Sequence, residues 1–438
     1  MTDAKTLWVA IIGAGPAGYY TAETLAKYKD VSVHVDIMDK LPTPYGLIRA
    51  GVAPDHQSIK NVSKRYEATN SQKNVRFVGN IAIGKDVSLA ELMELYDAVV
   101  LATGAPADRQ LSIKGEDAEG VIGSGAFVGW YNSHPDYTTL NPNLNIPAVA
   151  IIGNGNVAID VARVLAKTAS EMATSDLAKH AASPIHSASI KDIYMLGRRG
   201  PLDASFTPKE LGELNQLENA VTLMDPKDYP ADKDIPDDIK GAVKKNLTVL
   251  KAMTHNKAGD KPVTIHLNFY QQPQAILKDA DGKVSAIQVE RTRVTNGKAE
   301  GTGDMQEISA QMVIPCIGYK TNPIENVPYD TAKGCFKNKE GLIAERLYCV
   351  GWARRGPTGT IGTNKPDGIE IAQRILKDLK PSNRLGRVGL EKIIKKRKLP
   401  IVTFQDWKKI EAAEEAAASG DAPRVKFADI GEMIKVID

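Results

Sequence analysis

Gly13-Ala14-Gly15-Pro16-Ala17-Gly18 and, 140 residues further on, Gly153-Asn154-Gly155-Asn156-Val157-Ala158 repeat one spacing, G-x-G-x-x-G/A. In such a run the first glycine makes a tight turn, the second lets a pyrophosphate approach the backbone, and the third position lets a helix pack closely on a strand. The helix that follows turns its free N–H groups and partial positive charge toward the phosphates. One run alone is a weak signal, because glycine-rich turns also occur without a ligand. Two, each between an aliphatic stretch and a small-residue helix, point to two dinucleotides on one chain.

Two further positions tell the nucleotides apart. Val31 to Met38 reads as the second strand of the first unit, with Asp39 at its end, where an acid accepts a hydrogen bond from a ribose hydroxyl. The equivalent strand after the second run, Asp192 to Leu196, leads instead into Gly197-Arg198-Arg199-Gly200, and two guanidiniums there match the extra 2′-phosphate of NADP. The first site is therefore expected to take a dinucleotide with a free ribose, such as FAD, and the second NADP(H). A polar, Ala/Ser-rich detour, Thr168 to Ser189, puts 45 residues between Gly153 and Arg198. The usual distance is about 20, so spacing alone supports the second assignment weakly.

These residues need strands and helices to hold them. Leu7 to Ile12 and Val149 to Ile152 read as the strands before the two runs, with helices over Tyr19 to Tyr28 and Ala158 to Lys167. Ala98 to Ala102 is a buried-strand pattern ending in the Thr103-Gly104 turn. Val263 to Leu267 and Val284 to Thr292, joined by Asp279-Ala280-Asp281-Gly282, read as an antiparallel hairpin hung on the second domain. Gln311 to Pro315 and Leu347 to Gly351 read as later strands, and a helix over Gly368 to Leu379 brings the chain back to the first domain. The expected fold is α/β with two Rossmann-like, three-layer dinucleotide-binding domains. The FAD domain is discontinuous (1–105 and 317–380), the NADP domain spans 106–316, and 381–438 forms a C-terminal extension with a basic segment and an Ala/Glu helix.

Composition narrows the function classes. The chain has 438 residues, 42% hydrophobic and 25% charged, as in a water-soluble globular protein, and no apolar stretch approaches a membrane span. A net charge of +3 is too small to argue for nucleic acid. Cys316, Cys335 and Cys349 show neither C-x-x-C nor metal-ligand spacing, so no metal, no iron-sulfur cluster and no redox-active dithiol is expected. Whatever accepts the electrons lies outside the chain. Met1 to Thr6 is polar and the first strand begins almost at once, so no targeting segment is expected and the location is cytoplasmic, or a matrix after processing.

Five stretches together resemble the adrenodoxin reductase-like branch of the ferredoxin-NADP reductases, over essentially the whole chain. They are Gly13 to Gly18; Asp39 to Arg49 with Gly51 to His56; Gly153 to Asp160 with Arg163; Gly197 to Pro201 with Phe206-Thr207 and Glu210-Leu211; and Gly351-Trp352 with Arg355 to Asn364. Related two-dinucleotide flavoproteins have Gly-Asp where this chain has Gly351-Trp352, which favours this branch over the disulfide reductases. The resemblance implies that Gly13, Ala14, Gly15, Pro16, Ala17 and Gly18 hold the FAD pyrophosphate and Asp39 its ribose. Lys40, Leu41, Gly46, Ala102, Thr103 and Gly104 also contact FAD, and Leu47, Arg49, Trp352, Gly359, Thr360 and Ile361 lie near the flavin. Gly153, Asn154, Gly155, Asn156, Val157, Arg198 and Arg199 grip NADP(H), with Glu210 on the adenosine ribose. His56 and Glu213 lie at the nicotinamide side of the flavin in a tuning role, since hydride transfer to flavin needs no enzyme acid.

The implied reaction is hydride transfer from NADPH to FAD, then release of single electrons to a ferredoxin, with flavodoxin as another acceptor. Docking candidates are Arg163, Lys64, Arg65 and the Lys392 to Lys398 run, and the assembly is a monomer or homodimer. Competing functions are an NADPH-dependent quinone or diaphorase-type reductase, and an electron-transfer subunit of a larger complex.

Overall fold

The computed structural model describes residues 6–259 and 261–437, and Met1 to Lys5 lie outside them. The chain divides into two compact units. The first comprises residues up to Val52, His56–Ala107 and the chain from Tyr319 onward; the second comprises Ala53–Asp55 and Asp108–Gly318.

In the first unit five strands run parallel in the order Leu347–Cys349, Ala98–Leu101, Leu7–Ile12, Val33–Met38, Val75–Gly79. An antiparallel strand closes each edge, Leu342–Ala344 on one side and Val402–Thr403 on the other. Ala98–Leu101 is buried throughout and Leu7–Ile12 at all but one position, which is why both read as continuous apolar runs without alternation. The helix after the first glycine run is Pro16–Ala26, beginning earlier than Tyr19. Proline lacks an N–H, but the first helical residue has no intrahelical partner for one, so Pro16 starts the helix at no cost. Helix Asn364–Asp378 likewise begins ahead of Gly368.

Residues 381–438 are built into this unit. Val402–Thr403 completes its sheet, and Trp407, Ile410 and Met433 share a core with Val9, Ile11 and Val35. Helix Arg387–Arg397 is fastened by Arg387, whose Nε donates to Asp36 at 3.0 Å. Asp36 is 1% exposed and also accepts from Arg76 Nη2 at 2.8 Å and Tyr96 Oη at 2.7 Å, so its buried charge is fully met. The basic run on this helix is partly neutralised, because Arg397 pairs with Glu91.

The second unit has an all-parallel five-stranded sheet in the order Met312–Pro315, Ala148–Ile152, Asp192–Leu196, Val263–Asn268, Ala220–Leu223. Val263–Asn268 is thus a central strand and not the first arm of the hairpin. That arm is Gln271–Lys278, paired antiparallel with Val284–Thr295, which pairs in turn with Lys298–Ser309. Gln271–Lys278 is hard to recognise because it is polar and contains Pro273, which the ladder accommodates at a register shift. The Ala/Ser-rich detour carries a helix, Lys179–His186, packed against the same core through Ala181 and Ile185. Among the described residues no helix is long and apolar enough to cross a membrane.

Candidate functional site

Each glycine run occupies a strand-to-helix turn. In the first unit Gly13 has φ +116°, and a Cβ there would lie 2.3 Å from the Ala102 carbonyl oxygen. A Cβ on Gly18 would lie 2.2 Å from the Gly13 carbonyl oxygen, so the third glycine lets the helix sit on the loop. Gly15 differs, because a Cβ there would meet nothing within 4 Å. It is the N-cap of Pro16–Ala26 and supplies no side-chain cap, leaving the first-turn amides directed into an open cradle.

Asp39 ends the neighbouring strand and takes hydrogen bonds from the amides of Ala14 at 2.8 Å and Leu41 at 3.0 Å. Burial raises its pKa, against the lowering pull of those amides. A carboxylate has about four lone-pair sites and its amide bonds do not use them all, so Asp39 ties the loop together and can still accept from a ribose hydroxyl. Lys40 is exposed. Thr103 Oγ1, in the turn after Ala98–Leu101, is buried with no hydrogen-bond partner among the described residues. A polar ligand in the cradle would satisfy it, and together with the open face of Gly15 this fits a bound dinucleotide.

Around this cradle Gly46 has φ +51° and Leu47 is 46% exposed, unusual for a leucine next to a buried Ile48. Trp352 Nε1 donates to the Thr358 carbonyl at 3.1 Å, and its ring stacks on Tyr319 with centroids 6.1 Å apart. Thr360 and Gly359 are exposed and Ile361 is half-buried, just before helix Asn364–Asp378. Asp367 on that helix anchors the turn, accepting from the Gly351 amide at 2.6 Å and from Arg354 and Arg355. Arg49 is not turned outward: its guanidinium forms a fork with Glu414.

In the second unit Gly153 has φ +128°, and Gly155 caps helix Asn156–Ala166 without a side-chain bond. Asn156 Oδ1 accepts from the Thr207 amide at 2.8 Å, while both amide atoms of Asn154 are buried without a partner among the described residues. An unpaired buried carboxamide at a helix N-terminus fits a ligand that offers both acceptors and donors. Ile152 and Leu196 pair in register, which places Arg198 and Arg199 just past the adjacent strand end. The long detour therefore leaves them at the end of the strand next to Ala148–Ile152. Both are exposed; Arg199 makes a 3.3 Å contact to Asp203, and the Arg198 guanidinium has no partner among the described residues.

Arg163 is not a docking residue. It is 1% exposed, hydrogen-bonds Asp55 at 2.6 Å and Asp160 at 3.0 Å, and forms an ion pair with Glu213 at 3.2 Å. Lys167 joins Asp55 at 2.8 Å, and the Pro54 carbonyl accepts from the Asp176 amide, so Ala53–Asp55 is held firmly in the second unit. Arg65 is paired with Glu23, whereas Lys392, Lys395, Lys396 and Lys398 are exposed. Thr207 caps helix Pro208–Glu213, on which Glu210 is buried. His56 belongs to the first unit, at the start of helix Gln57–Lys60.

Burial works to raise the Asp55 carboxyl, but Arg163 and Lys167 overrule it and hold it well below the usual carboxylate range. A depressed folded-state pKa stabilises the protein above the unfolded value, about pH 4, and that contribution is lost as pH falls toward the folded value. Asp55→Asn is expected to cost about 3 kcal/mol at pH 7, the low end for breaking a buried pair, since Arg163 keeps two other acids. Urea unfolding should show this gap between variant and wild type narrowing below about pH 4. A gap independent of pH would assign the loss to packing.

Among the cysteines, Cys335 and Cys349 are buried, Cys316 is half-buried, and all three are free thiols. Burial raises both Cys316 and Cys349, the latter to about 12, which keeps them protonated and unreactive at neutral pH.

A family described as pyridine nucleotide-disulphide oxidoreductase matches residues 8–348. The mitochondrial NADPH:adrenodoxin oxidoreductase of Homo sapiens is 37% identical over 458 aligned residues, covering 100% of this chain and 93% of that protein. NADPH-ferredoxin reductase FprA of Mycobacterium leprae is 37% identical and covers 98% of both. The solved structure of Mycobacterium tuberculosis FprA in complex with NADPH matches at a TM-score of 0.95 and 35% identity, covering 99% of this chain and 100% of that one.

Proposed function

The chain belongs to the pyridine nucleotide-disulphide oxidoreductase family, and from that premise we propose that it is an FAD-containing reductase that takes a hydride from NADPH and passes single electrons to a ferredoxin. The observation that carries this is the contrast between two like cradles, one beside an acid-terminated strand and the other beside Arg198 and Arg199. Bound FAD supplies the conversion of a two-electron donor's hydride into single electrons.

The protein's part is binding and orientation. The open N-terminus at Gly15 receives the FAD pyrophosphate, and Asp39 accepts from the ribose. Amides of Gly359 to Gly362, ahead of helix Asn364–Asp378, would be the donors that stabilise negative charge on the bound ring. In the second unit Asn154 and the Gly155 turn bind the NADPH pyrophosphate, and Arg198 and Arg199 take its 2′-phosphate. The acceptor is an external one-electron carrier, an iron-sulfur ferredoxin, a reading supported by relatives named NADPH-ferredoxin reductase and NADPH:adrenodoxin oxidoreductase.

Anaerobic mixing with one equivalent of NADPH should bleach the flavin absorbance fully, and NADH should do so far more slowly. Equal rates with the two would contradict the assignment of the Arg198-Arg199 site. His56 tunes this step without being its acid or base. His56→Gln should alter the hydride-transfer rate or its pH profile by less than about a hundredfold, the lower edge of what a general acid or base contributes. An unchanged rate and profile would remove His56 from the site.

A further inference from the structure

Three side chains from the C-terminal segment converge on one short stretch, Tyr45 to Arg49. Glu414, on helix Phe404–Ala416, is fully buried. Its Oε2 accepts from Arg49 Nη1 at 2.7 Å, and its Oε1 accepts from Arg49 Nη2 and from the Phe427 amide. The Arg49 guanidinium lies over the Trp407 ring at 5.3 Å, and that ring meets Tyr45 edge-on at 6.0 Å. Lys426 Nζ donates to the Arg49 carbonyl at 3.2 Å.

The stretch so held is the rim of the first glycine cradle. The Tyr45 amide donates to the Ala14 carbonyl at 2.8 Å, and a Cβ on Gly46 would approach Gly15 Cα to 3.1 Å. Tyr45 at φ +84° and Gly46 at φ +51° are consecutive left-handed residues, and a tyrosine keeps such a conformation only where its surroundings impose it. A two-bond fork between guanidinium and carboxylate fixes orientation as well as distance, which a single contact would not.

We propose that Glu414 is a positioning residue for the cofactor site: through Arg49 it sets the Tyr45–Arg49 rim and thereby how tightly the first unit holds FAD. The C-terminal segment is then part of the cofactor site and not only a tail. This rests on the reading that the first unit binds FAD.

The test uses the full-length apoprotein, with FAD affinity read from quenching of flavin fluorescence and NADP⁺ affinity and Tm measured alongside. Glu414→Gln keeps the shape and removes the charge. It should raise the FAD Kd at least about tenfold, the effect of losing roughly one charge-assisted hydrogen bond, with the NADP⁺ Kd unchanged. Ile410→Val, in the same helix and buried in the same core, should lower Tm while leaving the FAD Kd within about twofold. If Glu414→Gln does not fold, Arg49→Lys, which keeps charge but loses the fork, should raise the FAD Kd in the same direction. An FAD Kd unmoved by either variant, or moved equally by Ile410→Val, would overturn the inference. A wild-type chain that binds no FAD would overturn the cofactor assignment and this inference together.

Discussion

Replacing Arg198 and Arg199 together with alanine is expected to lower kcat/KM for NADPH by about a hundredfold, almost wholly through KM, while leaving NADH turnover nearly unchanged. A hydrogen bond to a charged group contributes about 1.5–3 kcal/mol, and two exposed guanidiniums belong at the low end, about 3 kcal/mol for the pair. Each single variant should lose about tenfold. Arg198 should lose more than Arg199, because Arg199 is partly engaged with Asp203 whereas Arg198 has no competing partner among the described residues. Added salt should weaken wild-type binding of NADPH and barely affect the double variant. Steady-state kinetics with both nucleotides decides this. Equal losses for NADPH and NADH would mean that the arginines support the fold and do not read the 2′-phosphate.

The second large effect separates two glycines that look alike in sequence. Gly13→Ala forces a methyl to 2.3 Å from the Ala102 oxygen at φ +116°, so the ends of two core strands must part. The left-handed backbone alone costs about 1–2 kcal/mol, and the overlap adds to it. Purified Gly13→Ala should lack the yellow FAD absorbance, and its apoprotein should melt several degrees lower. Gly15→Ala meets no protein atom, so its apoprotein should melt like wild type and yet hold FAD much more weakly, because the methyl fills space the pyrophosphate needs. FAD stoichiometry and apoprotein Tm measured together discriminate the two. Loss of Tm in Gly15→Ala, or normal FAD content in Gly13→Ala, would contradict the roles given to these glycines.

Local chemistry was legible where a residue's job is done by its neighbours in sequence. The two glycine turns, the acid after Val33–Met38 and the arginine pair after Asp192–Leu196 each follow their strand directly, so a strand-turn-helix pattern locates them. Strand register is untouched by the 45-residue gap to Arg198: the added residues include helix Lys179–His186, and Ile152 still pairs with Leu196. What stayed hidden depends on long-range pairing. Val263–Asn268 is apolar enough for either a hairpin or a central strand, and only its partners on both sides decide. Arg163 looks like a surface cation until Asp55, 108 residues away, is seen to accept from it. Arg49 and Glu414 are 365 residues apart, and nothing near either one announces the other.

The most direct measurement is NADPH-driven cytochrome c reduction by the purified protein, with and without an added [2Fe-2S] ferredoxin and, in parallel, a two-cluster ferredoxin or a flavodoxin. An NADPH-to-ferredoxin reductase requires a slow basal rate that rises steeply and saturably with one carrier, and which carrier does so names the partner. Fast reduction of quinones or dyes with no effect of any carrier would contradict it and leave a diaphorase-type reductase in its place.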